Sequence, residues 1–548
     1  KSTLHERNSV TPNNLGLQVA EERGPDQSIS RLPAARTAFV GRTLRGPVNL
    51  PVLIRSFAEF QHGFGGLWQP SLLGYAIEQF FDNGGREALI VRVVNGARSA
   101  TLTLKAGASV LRLQALRPGT REFLRASVDF DNIPADQVCS FNLTVQRVRA
   151  QGTGQVEDQE IFHRLSVLST DERYVPQALA KSALIRLKGA VPLQRPDRTL
   201  DPASGLATAY VNSNSDGDDG APLTDYDLIG SSLDHSGVFA LDQVEYFNFL
   251  CIPPLTREQD VGPSALLVAA RYCKERRALL IVDPPSTWQT ADDALAGLRE
   301  WNFPNENALM YFPRVLAHDK LRGHFESFAP CGAVAGMLAR ADEISPVWLP
   351  TDREEPILRP GFRPASLVSE DRRIRLAGLG VNTIQALRSP APSSLRPRTL
   401  AAGHTANADW RYLSARRLAL FILSSIELGT RWIAGAGSPA EVAETLTARV
   451  RSFFEALHAE GTFGSRQAEE AFFVICDARV NDRWAQRCGE VQFLIGFAAS
   501  REHEFHCFRI SQSVAGGKIQ PVSLNRLNFS PYSPAELEWV DRIARSLS

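Results

Sequence analysis

The stretch that decides the fold is Thr37 to Val94, TAFVGRTLRGPVNLPVLIRSFAEFQHGFGGLWQPSLLGYAIEQFFDNGGREALIVRVV. An apolar run, Ala38-Phe39-Val40, stops at Gly41; a Gly46-Pro47 turn follows, and Pro51-Val52-Leu53-Ile54 restarts an extended segment. This is strand, turn, strand. Ser56 opens a short helical turn that ends near Gly63, and Gly65-Gly66 supply backbone freedom where side chains would collide. From Ser71, residues Leu72, Leu73, Ala76, Ile77, Phe80 and Phe81 recur at helical spacing until Gly84-Gly85, after which Ala88 to Val94 reads as a further strand. No residue set in the stretch could carry out catalysis.

Upstream, Leu15 to Glu22 (LGLQVAEE) alternates apolar and polar and predicts a lone strand, while Arg23 to Arg36 is linker-like. A strand with no intrachain partner takes one from elsewhere. Downstream, short alternating segments between Thr101 and about Leu187 predict a small β-rich domain with one wet face, followed by a polar loop from Pro192 to Asp219. A βα alternation comes next, with strands at Phe247–Ile252, Ala278–Val282 and Ala308–Phe312 and helices at Pro263–Arg276, Asp292–Trp301 and Gly332–Ala341. That pattern implies a largely parallel sheet covered on both faces. In the last third, Trp410 to Leu428 predicts an amphipathic helix, and Ser438-Pro439-Ala440-Glu441 forms a capping box. The helix it opens buries a stripe of Val442, Leu446, Val450, Phe453 and Leu457. Ala471–Cys476, Val491–Phe497 and Glu504–Ile510 supply strands for an antiparallel sheet; an extended Lys518–Leu524 and a last helix from Pro534 to Leu547 follow. The fold class is therefore α/β and α+β, multidomain.

Phe39 to Val93 resembles, nearly position for position, the N-terminal signature of contractile tail sheath proteins, the family found in phages with contractile tails, pyocins and related injection systems. Further matching stretches are YVNSNSDGDDG (Tyr210–Gly220), Val244–Pro253, APCGAVAGMLARAD (Ala329–Asp342), GVNTIQAL (Gly380–Leu387), RYLSARRLALFILSSIELGTRW (Arg411–Trp432) and EEAFFVICD (Glu469–Asp477). The resemblance runs from Leu15 to Gln512 and is weak over Thr101 to Leu200, where such proteins vary. It implies an N-terminal extended arm and linker (1–36), a core α/β domain in two parts (37–100 and 201–395), and a protruding, variable β-rich domain (101–200). A tube-facing C-terminal α+β domain (396–512) and a C-terminal arm with a terminal helix (513–548) complete it.

It also implies a non-enzymatic subunit of stacked hexameric rings around an inner tube, with baseplate and terminator or cap proteins as further partners and no cofactor. Such a particle is assembled in the cytoplasm. Strands at both ends of the chain complete the sheets of neighbouring subunits; here the places for them are Leu17, Val19 and Glu21, and Phe505, Cys507, Phe508 and Ile510. Arg411, Arg416 and Arg417 are candidates for contact with an acidic tube. A sheath-like cap or baseplate-proximal paralogue would share the fold, and a cytosolic α/β hydrolase is the rival from another class.

Composition is compatible with this reading. The 548 residues exceed one core and predict two to four domains; 60 basic residues balance 60 acidic ones, so no global field favours nucleic acid or an anionic membrane. Even an apolar run such as Leu418–Leu423, exceeded in length by no other, falls far short of a bilayer span, which predicts a soluble protein. Seven scattered cysteines contain no CxxC pair, so neither a zinc ribbon nor a disulfide framework is indicated.

Several chemical motifs fail on inspection. The expected parallel strands end in Pro253-Pro254, Pro284-Pro285 and Pro313, and proline has no N–H to offer a phosphate. Gly378-Leu379-Gly380 lacks the third glycine of a dinucleotide fingerprint, and Gly517-Lys518 lacks the P-loop's first glycine and its Ser or Thr. Asn212, Asn214, Asp216 and Asp218 open like a calcium loop, but Leu223 stands in place of the bidentate glutamate, leaving a solvated hinge loop as the expectation. His503 and His506 point to opposite faces of a strand, and a Cys331, His318, Asp283 triad rests on residue type alone.

Overall fold

The computed structural model describes residues 28–150, 152–201, 209–301, 303–348, 357–385, 395–403, 410–435, 439–463, 467–477, 480–481, 490–499, 505–513 and 516–523, with the side chains of 434, 435 and 439–441 excepted. The Leu15–Glu22 strand and the Pro534–Leu547 helix lie outside the described residues.

At the centre is a seven-stranded sheet. Its strands are Thr37–Gly41 (β1), Val52–Ile54 (β2), Ala88–Arg92 (β3), Phe249–Cys251 (β11), Leu279–Val282 (β12), Ala308–Phe312 (β13) and Val381–Thr383 (β17), in the order β17-β13-β12-β11-β1-β3-β2. All neighbours are parallel except β2, which runs antiparallel to β3. Every residue of β1, β3, β11, β12 and β13 is buried, which is why these strands read as unbroken apolar runs. The strand-turn-strand of the opening stretch is not a hairpin: β1 and β2 lie on either side of β3. The helices Phe57–Phe64 (α1) and Leu73–Asp82 (α2) carry the chain across, so β1 and β3 pair in parallel and both faces of each can be covered.

One face packs against α2 and Cys331–Ile344 (α7) through Phe39, Ile77, Phe80, Ile90, Val334 and Met337. Pro263–Glu275 (α5), Ala291–Glu300 (α6) and Glu370–Gly378 (α8) cover the other, through Val40, Val91, Ala269, Leu280, Ala294 and Leu376. The α2–α7 crossing explains the small residues of α7: a Cβ on Gly332 would lie 2.0 Å from the Ala76 carbonyl oxygen, and one on Gly336 would lie 2.3 Å from that of Phe80. The short helix Asp225–Ile229 (α4) precedes this half, and its Asp225 carboxylate accepts from the Gly262 N–H at the start of α5 (2.9 Å).

The β-rich domain is two sheets over one core. Thr101–Ala106 (β4), Ser109–Ala115 (β5) and Ile185–Leu187 (β9) form the first; Leu124–Asp129 (β6), Ser140–Val148 (β7), Val156–Ser166 (β8) and Val211–Asn212 (β10) form the second, in the order β10-β6-β7-β8. Leu102, Leu113, Val128, Phe141 and Val145 meet between them, together with Val175 and Leu179 of the helix Val175–Leu179 (α3). A small third sheet, Val315–Asp319 (β14), His324–Phe328 (β15) and Arg363–Pro364 (β16), flanks the central one.

The C-terminal unit pairs Leu413–Gly429 (α9) and Pro439–Ala459 (α10) with an antiparallel sheet. Its strands, Phe472–Ile475 (β18), Val491–Phe497 (β19), His506–Ser513 (β20) and Gly516–Val522 (β21), follow one another in chain order. Val442, Leu446, Val450, Phe453 and Leu457 are all buried against it, as their spacing predicts. The end of the expected linker is docked: Ile29 and Ala34 pack on this core, and the Leu32 N–H donates to Ser425 Oγ (3.3 Å).

Candidate assembly site

The C-terminal sheet is where the sequence places the strand-lending arms, and the structure corrects half of that assignment. β20, which carries Cys507, Phe508 and Ile510, is an interior strand, paired with β19 from Val491↔Gln512 to Phe497↔His506 and with β21 from Cys507↔Val522 to Ser513↔Gly516. The three side chains are buried, and Phe505 immediately precedes the strand. With both edges engaged by its own chain, the backbone of Cys507–Ile510 is not available to a neighbour. Among the described residues the open edges are those of β18 and β21. β21 has the marks of an edge strand: an exposed face and Pro521, which cannot donate to a ladder on both sides. Leu17, Val19 and Glu21 lie outside the described residues.

Beside β20 and β21 opens a cleft of ≈ 960 Å³, with Leu420, Leu423, Phe508 and Ile519 among its lining and the exposed Arg271 and Lys274 on the α5 side. The β20–β21 turn is anchored from below. Gln512 Nε2 donates to the Glu427 carbonyl oxygen (2.9 Å) and to Thr430 Oγ1 (2.7 Å), while the buried Glu427 carboxylate accepts from Arg277 Nη2 (3.0 Å) and Arg431 Nε (3.1 Å). Gly517 lies close against this group: a Cβ there would lie 2.7 Å from Glu427 Oε1, so a side chain at 517 would displace the Glu427 carboxylate.

The two adjacent arginines proposed to touch a tube are interior. Arg416 is 6% exposed; it donates to Asn307 Oδ1 (2.5 Å), lies 3.5 Å from Glu306 and stacks its guanidinium on Trp410, and burial lowers its pKa to about 10. Arg417, equally buried, engages Asp342 with both terminal nitrogens, one at 2.9 Å, and donates to the Ala34 carbonyl (3.1 Å). They weld α9 to the central sheet and to α7. Arg411 is half-exposed, and its carbonyl accepts from the Thr399 N–H (3.0 Å).

The acidic loop read as a solvated hinge is a seam between the core and the β-rich domain. Asp216 accepts from the Thr101 N–H (2.8 Å) and Oγ1 (2.5 Å), and Asp219 accepts from the Thr120 N–H (2.9 Å) and Oγ1 (2.7 Å). The Thr101 hydroxyl holds the Asp216 carboxyl below its ordinary pKa. Arg92, fully buried at the end of β3, donates to the carbonyls of Gly46 (2.7 Å) and Pro118 (2.9 Å); desolvation pulls its pKa down to about 10 against the opposing charge of Glu122. A sequence signal for this exists: an arginine inside a buried apolar strand must find acceptors. Nothing local says that Pro118 supplies one.

The Cys331, His318, Asp283 arrangement is not a nucleophilic site. Asp283 is half-buried with its carboxylate turned inward and accepts from the Cys331 N–H (2.8 Å); desolvation raises it to about 6 and raises the Cys331 thiol well above its ordinary value. A buried, protonated thiol does not attack, and His318 sits on an exposed position of β14 with its ring edge-on to Phe325. His506 stacks on Trp410 at 4.1 Å, and His503 lies outside the described residues. Among the described residues no cluster of three metal-ligating side chains occurs, and no helix is long and apolar enough to cross a membrane.

A parallel sheet sandwiched by helices, an inserted two-sheet β domain and a C-terminal α+β unit together make the fold of contractile tail sheath proteins. A sheath tail protein from Listeria innocua aligns over 89% of this chain and 95% of its own, with a TM-score of 0.54 at 12% identity. The sheath of an extracellular contractile injection system, the PVC sheath complex in its contracted state, aligns over 92% of this chain and 97% of its own, with a TM-score of 0.50 at 14% identity. No protein-family model and no curated protein sequence matches the chain.

Proposed function

We propose that this chain is the structural subunit of a contractile tail sheath, polymerising as helically stacked hexameric rings around an inner tube and shortening to drive that tube through a target envelope. The observation that carries the reading is the extent of the likeness: about nine tenths of this chain aligns with nearly the whole of two sheath proteins, leaving no large region for a separate activity. Its partners are further copies of itself, the inner tube protein, and baseplate and terminator or cap proteins. Assembly takes place in the cytoplasm of the producing cell. The subunit binds no cofactor, and contraction consumes no nucleotide.

Cohesion through such a rearrangement comes from strand addition at the C-terminal sheet. The Leu17–Glu21 strand of one copy pairs along an open edge of β18 or β21 in another, each backbone hydrogen bond contributing about 0.5–1.5 kcal/mol net. An extended lattice trapped on the tube then relaxes to a shorter, wider one while the strands hold subunits together. The test is direct: purified full-length chain concentrated alone or with its tube protein should form tubes visible by negative stain. A compact species of one chain mass at every concentration in sedimentation would overturn the reading.

A further inference from the structure

The chain crosses between the core and the β-rich domain twice, outward through Asn95–Ala100 and back through Ser213–Pro222. The crossings run side by side, bridged antiparallel at Asn95↔Ala221 and Arg98↔Asp218. Between Arg98 and Asp218 both backbone bonds form, at 2.9 Å each, and the Ala221 N–H reaches the Asn95 carbonyl at 2.9 Å. Alone, a two-stranded ribbon of this kind would bend, since an isolated pair of strands is marginally stable in water.

Two further sets of contacts oppose that bending. The returning strand grips the β-rich domain through Asp216 on Thr101 and Asp219 on Thr120, each carboxylate taking one backbone and one hydroxyl donor. From the core, three arginines reach into the seam. Arg42 Nη2 donates to the carbonyls of Asp219 (3.0 Å) and Gly220 (2.7 Å). Arg92 joins the core loop at Gly46 to the β-rich domain at Pro118, and Arg45 joins the His62 carbonyl (2.9 Å) to the Glu157 carboxylate of β8 (2.6 Å). A planar guanidinium that donates in two directions fixes an angle as well as a distance. The seam is also full: a Cβ on Gly217 would lie 2.4 Å from the Gly119 carbonyl oxygen, and one on Gly220, whose φ is +77°, would lie 2.2 Å from that of Asn95.

We propose that this seam is a rigid clasp, which carries the β-rich domain as one body with the central sheet at an orientation set by Arg45 and Arg92. Every contact lies within one chain, so the clasp holds whether or not the chain polymerises.

Amide hydrogen exchange on the purified full chain tests this, comparing wild type with Asp216→Ala/Asp219→Ala, Arg92→Ala and, as a control within the β-rich domain, Arg125→Ala. In the wild type the amides of Thr101, Thr120 and Ala221 should be strongly protected. In the double aspartate variant they should exchange about 10- to 100-fold faster, the loss of charge-assisted hydrogen bonds, while β1 and β7 stay as protected as before. Arg125→Ala should leave the seam unchanged. Seam amides exchanging at open-loop rates in the wild type, or keeping full protection in the double variant, would overturn the clasp. Should Arg92→Ala fail to fold, the aspartate pair still decides the matter, since Asp216 is exposed and Asp219 half-buried.

Discussion

The central sheet and the C-terminal sheet of this protein solve the same problem in opposite ways. The central sheet is covered on both faces by helices and ends in two edge strands of 3 residues each, β2 and β17, too short to template another chain. The C-terminal sheet has one face on α9 and α10 and ends at β21, 7 residues long and exposed on alternate positions. A sheet closed on all sides can only be a scaffold. One that, among the described residues, keeps a long edge and an adjoining cleft has bonding capacity left for another strand. The difference separates what folds the subunit from what would join subunits.

That separation can be broken in order of effect. The largest loss should come from Gly332→Leu, which drives a side chain into the Ala76 carbonyl where α7 crosses α2; destabilisation above about 3 kcal/mol is expected in equilibrium denaturation. A midpoint equal to wild type would mean the crossing is not close-packed. Next is Arg417→Met, which takes the Arg417 guanidinium from the half-buried Asp342 and should cost about 2–3 kcal/mol, with Arg417→Met/Asp342→Leu recovering part of it. A residue reserved for tube contact would leave unfolding unaltered.

A third variant probes the carboxyl end of the central strands. Asp283 has a folded-state pKa of about 6, above its ordinary 3.8, so its ionisation is resisted by burial. Its contribution to stability is fully present below pH 4 and is lost as pH rises through 6. Asp283→Asn should therefore stabilise the protein by about 1–3 kcal/mol near pH 8 and by little near pH 4, read as a melting-temperature difference that grows with pH. A difference independent of pH would refute the assignment.

The smallest effect on the monomer should come from deleting Lys1 to Glu22, under about 0.5 kcal/mol in denaturation, yet this variant should form no tubes. Intact tubes by negative stain would remove the strand-lending role from the N-terminus and with it the functional half of the comparison.

The regular elements were legible wherever one face meets one core. The Val442 to Leu457 stripe and the apolar runs of β1, β3, β12 and β13 follow from periodicity, because burial on one or both faces imposes a spacing that needs no knowledge of the partner. Charged residues were not legible in this way. Arg416 and Arg417 open a helix and read as a solvated flank; their partners, Asn307 and Asp342, are 109 and 75 positions away, and only folding brings them within reach. Asp216 and Asp219 read as a wet loop for the same reason, their threonine donors lying 115 and 99 positions upstream.

Strand position within a sheet was the other blind spot. Phe505 to Ile510 alternates as an edge strand or an interior strand would, and nothing in that pattern says that Gly516–Val522 turns back to cover it. By itself, then, the sequence determined the class of fold, the βα order of the core, the β-rich domain and the buried stripe of α10, all of which depend on local spacing and burial, whereas α9, read as amphipathic, is buried on nearly every side. Only the tertiary structure decided which strand is the edge, which arginines are interior and that the acidic loop is a clasp, because each depends on groups far apart in the chain arriving within hydrogen-bonding distance.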